Sequence, residues 1–532
     1  MNESARNSLL NDVVANFLST LSEVEFFDAF AAILRANGFY DVHLLHGTTE
    51  YGKDFIAKRM LDGAPSQYAI QTKVGNINAS GWHAVRDQIE TIRLSSLSHP
   101  SDDLSLPRRA VLALTGRLVG LAPTETQDYK RQYDTATFEF EVWQLDDLLS
   151  MMTDAPEAGL AGEPDAPLLG AVAAIYEDMF TERDLEALSR GWTNPVGETT
   201  GIWRSALSAF VLAHRLALHG RRDLAALVGA HLVRSTWGRC HNVDPPPDEV
   251  LGVADAGRGL LMFHSQVLFD EVRALPEDPE QFIMATASFG DFVVYPVRCM
   301  RLLELLGLMG MATEDPDLRR QVAEYCARFV ERHPGASHPI SDHWAVSVAP
   351  AALLIHEVSP EIMGKWLQEI CVWIVDHYES GKAGLAQPWT VPDEEVVQLL
   401  FGGLSGSGLE RRPDSFLAAI LMDLSASMEQ GDVYDSLVNE VMAVKMFPTV
   451  VQANEGVGFY QDSFGDVFIE PWVRYDGKYA DYAGWECSEP HRNLESSFLQ
   501  RIGRAWDLLA LSAVLRDRWF PLAWRELEGL GA

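Results

Sequence analysis

The pair Asp62-Gly63 stands between two strand-like runs, "DFIAKRM" (54–60) and "QYAIQTKV" (67–74). An Asp-Gly turn between such runs turns the chain back on itself, so the two are expected as an antiparallel hairpin. The flanking chain fits a sheet around that hairpin. A helix pattern in "SEVEFFDAFAAILRANGF" sets Val24, Phe27, Ala31 and Leu34 on one face, with Gly38 as its stop. "DVHLLH" precedes the hairpin, a helical "ASGWHAVRDQIETIRLSSL" follows it, and "RAVLALTG" and "FEFEVWQ" supply two more strands. The order helix, three strands, helix, two strands predicts a small α/β/α sheet domain over residues 1–152.

The stretch 153–168, containing "TDAPEAGLAGEPDAP", is rich in Pro, Gly, Ala and acids and lacks an apolar period. It reads as a linker. Beyond it, residues 169–532 read as a large, mainly α-helical domain. "IWRSALSAFVLAHRLALHG", "RRQVAEYCARFVERH", "EIMGKWLQEICVWIVDHY" and "SFLAAILMDLSASMEQ" all carry helix-period apolar faces. The fold class expected is therefore multidomain, an α+β sheet domain followed by helices. The aromatic, Gly-rich stretch 458–485 is expected as strands or ordered loops within the helical part.

Charge narrows the function. The formal charge is −34, and residues 1–155 carry 13 Lys and Arg against 21 Asp and Glu, leaving about −26 for the rest. Such a chain repels polyphosphate at long range and is no general nucleic-acid coat. Contact with nucleic acid would need a local basic patch, a metal ion or a partner protein. Five scattered cysteines, never in a C-x-x-C pair, point to a reducing compartment. The N-terminus lacks the basic start and apolar core of a secretory signal, and no apolar run reaches membrane-spanning length. A cytoplasmic protein without membrane attachment is expected.

The hairpin itself carries the chemistry. Strand alternation puts Gln71 and Lys73 on one face, and pairing can bring Asp54 beside them. The Asp54 carboxylate, the Gln71 amide oxygen and the Thr72 main-chain carbonyl make three hard oxygen ligands, suited to Mg²⁺ or Mn²⁺. Lys73 adds a positive charge where phosphate oxygens would lie. Together these groups suit metal-assisted hydrolysis of a phosphodiester.

The order Glu25 in "LSEVEFFDAF", Asp54 in "GTTEYGKDFIA" and Gln71-Thr72-Lys73 in "YAIQTK" resembles the Mrr-type branch of restriction-endonuclease-like nucleases. The resemblance covers residues 20–150 or so, including "RRAVLALTG" and "FEVWQLDDLL", and nothing past the linker. It implies Asp54 as main metal ligand, Gln71 as second, Lys73 as charge stabiliser and Glu25 as accessory acid. It also implies a Mg²⁺-dependent endonuclease acting on double-stranded DNA, with defence against foreign DNA as its role. The same hairpin would serve for RNA, since both polymers present the same phosphodiester. The acidic helical domain is then expected to sense a ligand, dock a partner protein or form a homo-oligomer. A catalytically silent scaffold is the alternative.

Plainer readings exist for the same residues. Ser22 and Glu25 form an S-x-x-E capping box. Asp54 and Lys73 could be a cross-strand surface ion pair. Gln88 and Lys58 are candidate substrate contacts, or an exposed helix glutamine and, with Arg59, solvated strand-end charges. Trp82 and His83 fit core packing better than base stacking. His338, His343 and Cys240-His241 lack metal-pair spacing and read as structural. Neither a Walker A loop nor a G-x-S-x-G elbow occurs.

Overall fold

A computed structural model describes residues 3–45, 53–94, 99–103, 105–153, 155–161, 166–193, 201–240, 246–275, 291–339, 342–345, 347–379, 414–448, 450–452, 468–470 and 505–515. The chain divides into two compact units: Asn2–Leu169 with Glu198–Val211, and Gly170–Gly197 with Leu212–Ala532.

The first unit is built on a five-stranded mixed sheet, in the order β1-β2-β3-β4-β5. Its strands are β1 (Tyr40–Leu44), β2 (Phe55–Leu61), β3 (Ala64–Lys73), β4 (Arg108–Leu114) and β5 (Phe138–Trp143). β1, β2 and β3 pair antiparallel, whereas β3, β4 and β5 pair parallel. Asp62 (φ 48°) and Gly63 (φ 84°) make the expected two-residue turn, fixing Leu61 opposite Ala64 and Phe55 opposite Ile70. A β-branched residue at either position would be strained there.

Parallel neighbours need crossovers, and helices α3 (Ala79–Leu94) and α4 (Ala122–Tyr133) provide them. Both cover one face, where Trp82, Val85 and Ile89 meet Ala110, Leu112 and Phe140. The Trp82 ring stands edge-on to Tyr129 of α4 at 5.6 Å, the core role the sequence favoured for it. The opposite face carries α2 (Glu23–Ala36), whose Phe27 and Phe30 rings meet Phe55 edge-on at 5.8 and 5.4 Å. Fully burying a phenylalanine such as Phe30 contributes about 1.5–3 kcal/mol.

Three helices of this unit go beyond the expected order. The first, α1 (Glu3–Thr20), buries Leu10, Val13, Val14, Phe17 and Leu18, a helical stripe. α4 buries only Ala122, Thr126 and Tyr129, one residue per turn in a polar sequence, which is too thin a pattern to read. α5 (Leu145–Met152) is two turns long. The face of α2 also needs correction. Val24 is 67% exposed, and the buried set is Phe26, Phe27, Ala29, Phe30, Ile33 and Leu34. Within the stretch read as a linker, Pro156–Leu160 forms a 3-10 turn that buries Ala158, Gly159 and Leu160. A methyl group at Gly159 would fall 2.6 Å from Met152 Cε and 3.0 Å from Leu207 Cδ2, so a larger residue there would displace those side chains.

The second unit is largely helical. Its long elements include α6 (Ala166–Tyr176, begun in the first unit), α7 (Glu182–Thr193), α8 (Ile202–Leu218, likewise), α9 (Arg222–Cys240), α10 (Asp248–Val272) and α11 (Asp291–Ala312). They are followed by α12 (Pro316–Arg332), α13 (Val348–Val358), α14 (Pro360–Glu379), α15 (Phe416–Ser427), α16 (Gly431–Ala443) and α17 (Ala505–Leu515). α9 and α10 cross backbone to backbone, since a Cβ at Gly229 would lie 2.3 Å from the Gly257 carbonyl oxygen. Asp342 accepts from the Phe416 and Leu417 N–H groups at 2.8 and 3.1 Å, capping α15 from a distant segment. Of the aromatic stretch 458–485, only Phe468–Glu470 is described, as a strand pairing with Val450–Gln452. No helix among the described residues is long and apolar enough to cross a membrane.

Candidate active site

One register step beyond Phe55 and Ile70, Asp54 lies opposite Gln71. Backbone bonds hold it there: Asp54 N–H donates to the Ile70 carbonyl at 2.8 Å, and the Asp54 carbonyl accepts from Leu45 N–H at 2.7 Å. The Asp54 side chain is 7% exposed, and its Oδ2 takes three hydrogen bonds. These come from Thr72 N–H and Thr72 Oγ1, both at 2.7 Å, and from Gln71 Nε2 at 2.8 Å. Gln71 Nε2 also lies 3.4 Å from the Thr72 carbonyl oxygen. Among the described residues, nothing hydrogen-bonds to Asp54 Oδ1 or Gln71 Oε1.

Burial raises the Asp54 pKa, with the Thr72 hydrogen bonds and the nearby Lys73 charge opposing it. Lys73 does not touch Asp54. Its Nζ pairs with Glu23 Oε1 at 2.5 Å, in the first turn of α2. Because Phe55 is clamped under Phe27 and Phe30, the start of α2 is brought beside the end of β3.

The remaining expected site residues take other places. Glu25 accepts from Ser22 N–H at 2.8 Å and Ser22 Oγ at 2.6 Å, completing the capping box, and those bonds lower its pKa. The acid that meets Lys73 is Glu23. Two residues turn a helix by about 200°, so Glu23 and Glu25 leave α2 on opposite sides. The sequence shows two acids in that first turn, Glu23 and Glu25, but not which of them reaches β3. Lys58 Nζ is held by Asp41 at 2.8 Å, and Arg59 lies over the Phe39 ring at 5.0 Å. Gln88 is half-buried, and its Oε1 has no hydrogen-bond partner among the described residues. His83 pairs with Glu125 at 2.9 Å. In the helical unit His338 stacks on Trp373 at 4.5 Å and His343 lies 3.9 Å from Glu182. The Cys240 side chain and His241 lie outside the described residues.

Lys53 was not anticipated. It is 1% exposed, and its Nζ has no hydrogen-bond partner among the described residues. Burial lowers its pKa, and the Arg108 charge lowers it further against Asp102.

Among the described residues, no group of three or more His, Cys, Asp and Glu is placed to hold a metal ion by itself. A divalent ion here would instead meet Asp54 Oδ1, Gln71 Oε1, the Thr72 main-chain carbonyl and waters, with the Glu23 carboxylate nearby. That donor set is all oxygen and carries a buried carboxylate with no cation in contact, which fits Mg²⁺ or Mn²⁺. No protein-family model, curated protein or solved structure matches the chain.

Proposed function

We propose that the first unit is a metal-dependent nuclease of the Mrr-type, restriction-endonuclease-like kind. Its substrate would be DNA, and its role that of a regulated effector against foreign DNA. The observation that carries this reading is the buried Asp54 carboxylate. Three donors anchor Oδ2, while among the described residues Oδ1 and the adjacent Gln71 Oε1 are left without hydrogen bonds.

Each residue has a defined task in this reading. Thr72 and Gln71 fix the Asp54 carboxylate in one orientation, so that Oδ1 and Gln71 Oε1 form a pre-set pair of ligands. A bound Mg²⁺ would supply a Lewis acid and a water acidified for attack on phosphorus. The Lys73 ammonium stands ready to hold a phosphoryl oxygen as negative charge develops. Glu23 holds that ammonium in place before substrate arrives and, in place of the expected Glu25, would serve as the accessory acid. Substrate phosphate and Glu23 then compete for Lys73.

The test is cleavage by the purified chain with Mg²⁺ or Mn²⁺, on supercoiled DNA, linear DNA and structured RNA side by side. Asp54→Ala, Lys73→Ala and EDTA serve as controls. Metal-dependent cutting lost in both variants supports the nuclease, and the preferred substrate separates DNA from RNA. No cutting, together with no Asp54-dependent Mn²⁺ binding, would favour the silent scaffold.

A further inference from the structure

The second unit buries a positive charge without a counter-ion. Arg234 of α9 is 3% exposed. Its Nη2 donates to Ser189 Oγ of α7 at 2.8 Å, and its Nε has no hydrogen-bond partner among the described residues. The partner it does have is a neutral hydroxyl. Among the described residues, no carboxylate forms an ion pair with it. Glu186 acts only at a distance, and its carboxylate already holds Arg190 at 2.9 Å. Burial pushes the guanidinium pKa down to about 10, which still leaves it charged at neutral pH.

A hydroxyl and an imidazole stand beside it, with Ser189 Oγ also 3.0 Å from the Glu186 carbonyl oxygen. Ser189 Oγ lies 2.8 Å from His231 Nδ1, and His231 is 4% exposed. Ser235 Oγ bonds the Ser189 and His231 carbonyls at 3.0 and 2.9 Å, locking α7 to α9 at this level. Arg239, one and a half turns further along α9, donates from Nε to the Trp192 carbonyl at 2.7 Å. Burial also lowers the Arg239 pKa. Isolating a guanidinium from water is costly unless an anion is present. The Nε and Nη2 edge is the fork that grips carboxylate and phosphate oxygens in pairs, and its Nε tooth is open here.

We propose that the α7–α9 seam binds a compact oxyanion, a phosphate either free or carried by a small nucleotide. Arg234, Ser189 and His231 are its ligands. This site belongs to the second unit and does not depend on the nuclease reading.

Titration calorimetry on the full chain, dialysed free of oxyanions and held at constant ionic strength, tests it. The probes are inorganic phosphate, AMP and, as a control, sodium chloride. Saturable binding of phosphate or AMP is expected, with an affinity at least ~100-fold lower in Arg234→Met. Response to both probes assigns the site to the phosphoryl group, and response to AMP alone assigns it to a nucleotide. Arg234→Lys keeps the charge without the fork and should weaken binding ~10-fold, which serves if Arg234→Met fails to fold. No saturable response in the wild type, a response equal to that with chloride, or undiminished binding in the Arg234 variants overturns the proposal.

Discussion

β3 carries a glutamine at each end of one face, and the two ends differ in what they leave open. At the N-terminal end Gln67 is saturated: Nε2 donates to Asp102, and Oε1 accepts from Asp103 N–H at 2.7 Å. Arg108 neutralises Asp102 directly, at 2.9 Å. At the C-terminal end Gln71 donates to Asp54, but among the described residues nothing engages its Oε1 and no cation touches Asp54, Lys73 being held by Glu23. Similar residue types therefore make a closed structural knot at one end and an open donor set at the other. A buried carboxylate that lacks a contacting cation is the group that gains most from an arriving one.

The largest expected effect follows at Asp54. Asp54→Ala should lower cleavage by ~10³-fold, about 4 kcal/mol of transition-state stabilisation, and abolish Mn²⁺ binding. The pH dependence has a defined sign. Burial raises the folded-state pKa above the unfolded value, so the folded chain holds this proton more tightly. In metal-free buffer, the stability of the wild type relative to Asp54→Ala should be highest below about pH 4. It should fall as pH rises through the raised pKa. Metal-dependent cleavage should run the other way and fade as pH drops through the same range, because the protonated acid no longer binds metal. Thermal unfolding and cleavage, measured across pH on both proteins, check the pair of trends. Parallel trends would sink the assignment.

Lys73 comes next. Lys73→Met should cut the cleavage rate ~10²-fold while leaving Mn²⁺ affinity nearly unchanged, because the ammonium stabilises developing charge and is not a metal ligand. Equal losses in both readouts would mean that Lys73 acts mainly by organising the site.

The two glutamines sharpen the contrast directly. Gln67→Ala strands Asp103 N–H and removes a donor from Asp102, so urea unfolding should show a loss of about 1–3 kcal/mol with metal binding intact. Gln71→Ala should cost less stability, about 1 kcal/mol, and weaken Mn²⁺ binding ~10-fold. The reverse pattern would show that the ends of β3 had been assigned the wrong way round.

Much of this arrangement was legible because it rests on local rules. The Asp62-Gly63 turn fixes the register, and register plus strand alternation carries Asp54 to Gln71. What escaped depends on the third dimension. Which first-turn acid of α2 reaches β3 is settled by the Phe27 and Phe30 contacts with Phe55, and no spacing in the sequence encodes them. Lys53 precedes a strand with nothing in its neighbours to mark it as buried, and only packing reveals that it is. Arg234 sits within an α9 sequence with no clear apolar stripe, so its burial follows from being surrounded by other helices. α4 escaped for the opposite reason, since it offers the core too few apolar residues to set a period.

The smallest effect is expected at Glu25. Its carboxylate is spent on the Ser22 N–H and hydroxyl at the exposed start of α2. Glu25→Ala should therefore cost about 0.5 kcal/mol through the lost cap and leave cleavage within about twofold of wild type. Glu23→Ala has no cap to lose but frees Lys73 and removes the acid beside it, so it should disturb cleavage more than stability. Urea unfolding and initial cleavage rates on the two single variants separate the roles. A cleavage defect in Glu25→Ala larger than that in Glu23→Ala would return the accessory role to Glu25. It would also mean that the first turn of α2 rearranges when substrate binds.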